Sequence, residues 1–296
     1  MNHSYLLIDI GGSAIKYALC DENLNLTDKG KAELAQRSPK EDFFKAIEDL
    51  YHQFEGVEGV AISMPGLIDE RSGFCAGSSM LKEGGFNVAE ELTQHLNIPV
   101  SVVNDGYAAA LAELGYGNMQ NAENGLVMVL GTGIGGAVIL NHELFAGSHH
   151  MAGNFSFIYS DIYHPEDRGT QFGFINGING LKDAVKETSG IEDADGIRTY
   201  QLIDAGNEEV RKGLELFCDR LAFQIYNLQI MLDVEKVLIG GGLSNDPRTI
   251  EYVKEAAERR WKSAMIPTAM PKIENCKYSN DANLLGALYN WKQHYE

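Results

Sequence analysis

The chain has 296 residues, with 42 acidic against 24 basic side chains, a formal charge of −18, 44% hydrophobic residues and 22% charged ones. These values belong to a folded globular protein of one large or two ordinary domains, with no wholesale disorder. They argue against a general nucleic-acid or anionic-membrane surface, since both partners need a positive field. Any polyanionic substrate must therefore be held by local devices, with backbone amides and a divalent cation as the obvious candidates.

In chain order, "SYLLIDIGG" reads as a buried strand running into glycines, and "AIKYALCDENLNL" as an alternating second strand with a turn around residues 21–25. "PKEDFFKAIEDLYHQF" has helical spacing through Phe43, Phe44, Ile47, Leu50, Tyr51 and Phe54. "VEGVAISMPG" is a short apolar strand, "VAEELTQHL" a helix, "PVSVVND" a strand, and "AALAEL" opens a helix. Near residue 125 the pattern restarts: "GLVMVLGTGIGGAVIL" repeats the strand, glycine turn and strand of "LLIDIGGSAIKYAL". A long helix over about 205–232 follows, then the strand "KVLIGG", a helix over about 248–262 and a last helix, "ANLLGALYNW". This order implies α/β layers, and the two glycine-turn hairpins suggest a duplication that would set two similar domains across a cleft.

The four cysteines, Cys20, Cys75, Cys218 and Cys276, lie far apart and form no CxxC pair. A disulfide framework or closed zinc site is not expected, and a reducing, cytoplasmic setting fits better. No run of about eighteen apolar residues and no signal-peptide pattern is present, so no membrane span is expected.

Three segments place glycines after a strand: "DIGGSAIK" (9–16), "LGTGIGGAV" (130–138) and "LIGGGLS" (238–244). Glycine lets backbone N–H groups turn towards a ligand and lets a phosphate approach the main chain. Asp9 could hold a hydrated Mg²⁺ beside those phosphates, with Ser13 and Thr132 adding hydroxyls. Any one such turn is commonly just a tight hairpin. Neither a Walker A sequence nor a Rossmann fingerprint fits, because "DIGGSA" leads into a strand. Three turns across two repeated units favour a nucleotide cleft.

"PVSVVNDGYAAALAEL" (99–114) ends a strand in Asn104-Asp105 and opens a helix. Asp105 could be the N-cap of that helix. It could equally accept a proton from a hydroxyl attacking a phosphate, a role that typically contributes about 10²–10⁴ in rate.

With these motifs in place, the chain resembles the ROK family (repressors, open reading frames and sugar kinases) of the actin-like ATPase superfamily. "DIGGSAIK" and "LGTGIGGAVI" match its two phosphate motifs, "SMPGLID" its sugar-proximal turn, and "VVNDGYAAALAEL" its base motif. "VLIGGGLS" matches its adenosine-side strand and "NDANLLGALYNW" its closing helix. The resemblance implies an α/β fold of two RNase H-like domains around a central cleft. The expected first domain is 1–118 with 282–296, and the second 119–281. It further implies ATP with Mg²⁺, transfer of the γ-phosphate to a sugar hydroxyl, usually the 6-hydroxyl, and a homodimer. Asp105 falls on the family's base, Asn104 on its sugar-binding asparagine, Gly66 in the sugar-proximal turn and Asp9 on the Mg²⁺-side aspartate. Gly11, Gly12 and Ser13, then Gly131, Thr132 and Gly133, and then Gly240 and Gly241 fall on the nucleotide motifs. The repressor branch carries a helix-turn-helix segment before the kinase body. Here "DIGG" begins at residue 9, so no nucleic-acid partner is expected.

One region departs from the family. Many of its kinases carry "AGEIGH" after the second phosphate motif, where the glutamate and histidine contact sugar hydroxyls near the anomeric carbon. A histidine and a "CxCGxxGC" cluster nearby bind structural zinc. This chain has "AGNFSF" (152–157), with Asn154 at the glutamate position and Phe157 at the histidine position, and no cysteine between Cys75 and Cys218. Structural zinc is therefore not expected, and His149 and His150, even with His164, read as loop residues. "RGTQFGFINGING" (168–180) also lacks the family's next acidic sugar contact, with Gln171 the nearest substitute. A site built to bond a hydroxyl loses heavily when that hydroxyl is blocked. Replacing those bonding groups by Asn154 and Phe157 leads to the expectation of a substrate substituted at its anomeric position, a β-glucoside such as cellobiose. A glucokinase, an N-acylmannosamine kinase or a non-catalytic sugar-sensing binder are the alternatives.

Overall fold

The computed structural model describes residues 4–12 and 14–296, so the expected contribution of Ser13 lies outside the described residues. The chain divides into two compact units, Met1–Gly117 with Gly147–Met151 and Asn280–Glu296, and Asn118–Ala146 with Ala152–Ser279. This division differs from the expected boundaries in placing residue 118 in the second unit and residues 280–281 and the short loop 147–151 in the first.

The first unit opens with β1 (Ser4–Ile10), β2 (Ile15–Asp21) and β3 (Leu26–Ala32), then α1 (Lys40–Tyr51) and β4 (Val57–Met64). A small sheet of β5 (Leu67–Ile68), β6 (Phe74–Gly77) and β7 (Phe86–Asn87) follows, and then α2 (Val88–Leu96), β8 (Val100–Asn104) and α3 (Asp105–Tyr116). The main sheet runs β3-β2-β1-β4-β8. β1 lies between an antiparallel β2 and a parallel β4. Covered on both faces, it can be apolar almost throughout, which is why "SYLLIDI" reads so clearly. β3, "LTDKGKA", is an edge strand with no buried residue, and its charges blunt the open edge. The Asp21 carboxylate accepts from the backbone N–H groups of Asn23 and Asn25, each at 2.9 Å, and forms the turn into β3.

The second unit repeats the plan. β9 (Gly125–Leu130), β10 (Ile134–Leu140) and β11 (Glu143–Phe145) form the antiparallel part. The helices α4 (Phe172–Asn176), α5 (Ile178–Ser189), α6 (Gly196–Asp204) and α7 (Glu208–Leu232) follow, then β12 (Lys236–Gly240), α8 (Arg248–Lys262) and β13 (Lys272–Asn275). Its sheet runs β11-β10-β9-β12-β13, with β12 parallel to β9 and β13 parallel to β12. In each unit, three antiparallel strands are thus extended by two parallel ones in the same order. The expected duplication of an RNase H-like, actin-like ATPase fold is present in the strand order itself. α7 starts at Glu208 because the Asn207 side chain caps it, accepting from Val210 N at 3.1 Å. It buries Leu214, Phe217, Leu221 and Ile225 at helical spacing in the core of this unit.

The chain then returns to the first unit as α9 (Ala282–Tyr295), which packs on α3 and on β1, β4 and β8. Gly286 makes the close approach to α3 feasible, since a Cβ there would stand 1.6 Å from Ala108 O. Trp291 donates from Nε1 to Pro99 O at 3.1 Å and lies against Tyr5 with ring centroids 4.9 Å apart. All four cysteines are free thiols, and burial raises the pKa of Cys20 to about 12. Among the described residues, no helix is long and apolar enough to cross a membrane.

Candidate functional site

In the first unit, Asp9 stands near the end of β1. Parallel pairing with β4 sets it opposite Ser63, and antiparallel pairing with β2 sets it opposite Lys16. Its buried carboxylate accepts from Ser63 Oγ at 3.3 Å and from Asn283 Nδ2 at 3.0 Å, both on Oδ1, while Lys16 Nζ lies 3.6 Å from Oδ2. With both oxygens engaged, this carboxylate fits a hydrated Mg²⁺ held through water rather than by direct ligation. Just beyond, Gly11 N donates to Ala14 O at 3.0 Å, and Gln36 Nε2 donates to Gly12 O.

At the junction of β8 and α3, the N-cap is Asn104 and not Asp105. Asn104 Oδ1 accepts from Gly106 N at 2.9 Å and Tyr107 N at 3.2 Å. Asn104 Nδ2 donates to Gly66 O at 2.9 Å, which ties the sugar-proximal turn to the start of α3. Gly66 has φ 146°, and a Cβ there would meet Gly77 O at 2.6 Å, so only glycine fits. An amide nitrogen carries two hydrogens, and Gly66 takes one of those on Asn104.

Asp105 is the first residue of α3. Burial raises its carboxyl pKa above the ordinary aspartate value, and the negative charge of Asp9 pushes the same way. The Gly106 N–H and the Asn104 side chain pull in the opposite direction without cancelling the rise. The first unit therefore gathers Asp9, Gly11, Gly12, Gly66, Asn104 and Asp105 at one end of its sheet.

The second unit gathers the rest. Gly131 N donates to Gly133 O at 2.9 Å, closing the turn between β9 and β10, and Thr132 is exposed at its tip. Pairing of β12 with β9 puts Gly240 opposite Val129. Gly241, at φ 88°, packs so closely on Leu130 that a Cβ would stand 2.3 Å from its carbonyl oxygen. Asn154 leads into a short 3₁₀ turn, Phe155–Phe157, whose Ser156 Oγ donates to Ile134 O at 3.0 Å and accepts from Ile134 N at 2.8 Å. That staple fixes the turn beside Gly133. Phe155 points into the core at 2% exposure, while Phe157 presents its ring to solvent at 61%. Gln171 stands at the N-cap position of α4 in the same unit, with no capping bond from its side chain.

His150 lies in a turn, as expected of a loop residue, and its imidazole is paired there. Its Nδ1 lies 3.0 Å from Glu70 Oε2 and its Nε2 4.0 Å from Asp69 Oδ2, with a left-handed backbone at φ 53°. The three side chains bring ligand-type atoms within 4.8 Å of one another. His164 instead pairs with Asp161 at 2.6 Å, which raises the pKa of the imidazole. Ser63, Lys16, Asn283 and Ser156 also escaped the sequence reading. Each lies within a quoted motif, "SMPGLID", "DIGGSAIK", "NDANLLGALYNW" and "AGNFSF" respectively, but nothing in those motifs singled it out.

With this geometry in hand, the ROK family sequence profile matches residues 5–294, and the chain belongs to the ROK family. A beta-glucoside kinase of Klebsiella pneumoniae is 27% identical over 293 residues, covering 97% of this chain and 95% of that protein. An N-acetyl-D-glucosamine kinase of Vibrio cholerae is 26% identical over 305 aligned residues, covering 96% and 98%. The crystal structure of a ROK family protein from Streptococcus pneumoniae in complex with sucrose superposes with a TM-score of 0.85 at 31% identity, covering 98% of each chain.

Proposed function

We propose that this carbohydrate kinase transfers the γ-phosphate of ATP to the 6-hydroxyl of a sugar substituted at its anomeric carbon, a β-glucoside such as cellobiose. The observation that carries the substrate class is Phe157, exposed at 61% where related kinases place a histidine that bonds a sugar hydroxyl. An exposed ring offers a face for a second sugar and no partner for a free anomeric hydroxyl. The sucrose complex of the Streptococcus pneumoniae protein supports the same reading, because neither anomeric carbon of sucrose carries a free hydroxyl.

In the reaction, Asp105 accepts the proton of the 6-hydroxyl as that oxygen attacks the γ-phosphorus. The new O–P bond forms as the bond to the β-phosphate oxygen breaks, ADP leaves, and the proton passes from Asp105 to solvent. A base whose pKa is raised towards the working pH transfers protons more effectively than an ordinary aspartate. The N–H groups of Gly12 and Gly133 take the phosphates, while those of Gly11 and Gly131 close the two turns that present them, and Gly240 and Gly241 take the adenosine side. Mg²⁺, when bound, supplies positive charge to the transferring phosphates, and Asp9 with Ser63 and Asn283 would hold its water shell.

The protein acts in the cytoplasm as a homodimer in this reading. An exposed apolar surface in the second unit, including Ile230, Met231, Met265 and Ile266, supports the dimer. The test of substrate is an ADP-release assay on cellobiose, methyl β-glucoside, glucose and N-acetylmannosamine. The glycosides should give the highest kcat/KM. Strong preference for a free hexose overturns the substrate class, and no turnover on any sugar overturns catalysis.

A further inference from the structure

A cavity lies within the second unit, between α4, α7 and α8, with a volume of about 590 Å³. That is within the ordinary range for small-molecule sites. In a chain of net charge −18, its wall carries three guanidinium groups, those of Arg220, Arg259 and Arg260, against one carboxylate, that of Asp219. Arg259 pairs with Asp219 and Arg220 with Glu187, each at 2.8 Å. Arg260 has no ion pair among the described residues. Its guanidinium lies 4.6 Å from the centroid of the Phe223 ring, and its Nε is buried with no hydrogen-bond partner.

Asn176, in the same wall, is 0% exposed. Its Nδ2 donates to Phe217 O at 2.9 Å, but Oδ1 accepts from nothing. An unmet buried acceptor on Asn176 and an unmet buried Nε–H on the partly exposed Arg260 cost free energy unless a ligand satisfies both. The complement must bring a hydroxyl for Asn176, an anion for Arg260, and a carbon face for Phe223 and Ile175. We propose that this cavity binds a small phosphorylated sugar.

The arginine end of the site is remote from the Gly240–Gly241 turn. Arg259 and Arg260 sit at the C-terminal end of α8, whose 15 residues span about 22 Å from the end that follows Gly241. A link nonetheless runs back along α4. Gly177, next to Asn176, packs so tightly that a Cβ would lie 2.2 Å from Thr132 O, and Ile178 N donates to Gly131 O at 2.9 Å. A ligand fixed on Asn176 therefore bears on the Gly131–Gly133 turn. Its effect on ATP binding rests on the nucleotide role proposed for that turn.

The experiment is calorimetric titration of the full chain with glucose 6-phosphate, with inorganic phosphate and glucose as competitors, on wild type and Arg260→Ala. Wild type should show a binding event that Arg260→Ala weakens about tenfold or more, the expected loss of a charge-assisted hydrogen bond. Inorganic phosphate should compete for it and glucose should not. Thermal unfolding and ligand-free turnover should match wild type, since Arg260 is partly exposed and outside the catalytic machinery. Binding that is absent, or indifferent to Arg260, overturns the proposal. Arg260-dependent binding in a protein that turns over no sugar overturns the kinase reading alone.

Discussion

Asn283, on the helix that follows the whole second unit, donates a 3.0 Å hydrogen bond to the carboxylate of Asp9, on the first strand. The bond holds one oxygen of the group proposed to order the Mg²⁺ water shell. Asn283→Ala removes it and leaves Lys16 and Ser63 in place. A hydrogen bond to a charged group contributes about 1.5–3 kcal/mol. The KM for ATP·Mg²⁺ should therefore rise about tenfold, with the KM for sugar nearly unchanged. Steady-state kinetics with both substrates varied checks this, and equal rises in the two constants would contradict it.

Asp105→Asn should lower turnover by about 10²–10⁴ while raising Tm near neutral pH. The sign follows from its carboxyl pKa, which lies higher in the folded chain than in the unfolded one. Such a group stabilises the fold below its unfolded value, and that stability is lost as pH rises through the folded value. At neutral pH the wild type therefore bears the cost of a poorly solvated charge, which the amide removes. For the same reason, the acid limb of kcat/KM should bend above the ordinary aspartate value of about 3.9. Near-normal turnover in the variant would remove Asp105 from the mechanism.

Restoring the family's pair, Asn154→Glu with Phe157→His, should shift the kcat/KM ratio towards free glucose by about tenfold or more. Phe157→Ala alone should reduce the rate on cellobiose more than the rate on glucose. If both variants keep the wild-type ratio, these two positions do not set specificity.

Chelator-treated protein should retain full folding and carry no stoichiometric zinc by elemental analysis, because the family's thiolates are missing. His150→Ala, which breaks up the group with Asp69 and Glu70, should leave that result unchanged. Tightly held zinc that disappears with His150 would assign those three side chains to a metal.

Met231→Glu combined with Ile266→Glu should convert a dimer to a monomer in sedimentation analysis without lowering Tm by more than about 1 kcal/mol's worth. Both side chains are largely exposed, so their replacement costs little within one chain. A wild type already monomeric at working concentration would dispose of the dimer.

The central strands were legible because burial on both faces leaves a continuous apolar run, as in "SYLLIDI" and "GLVMVL". β3 was missed because an edge strand needs no apolar face, and α4 to α6 because they lie in a polar, glycine-rich stretch. The site divides similarly. Glycine turns and the Asn104-Asp105 pair are local and readable. The partners that Asp9, Glu70 and Ile134 find in Asn283, His150 and Ser156 come from distant segments, and local spacing carries no trace of them. Even the N-cap of α3, read from the sequence as Asp105, falls one residue earlier, on Asn104.

The packing of α9 on α3 and three strands of the first sheet also sets an order of assembly. A ribosome delivers β1 through α3 first, yet the helix that covers them emerges only after every strand of the second unit. The second unit can mature while the first waits with its sheet partly bare, a period in which chaperones would find their target. A chain cut before residue 280 should show fast amide exchange in β1, β4 and β8 while β9 and β12 stay protected. Protection of both sheets in that fragment would show that the first unit closes without its final helix.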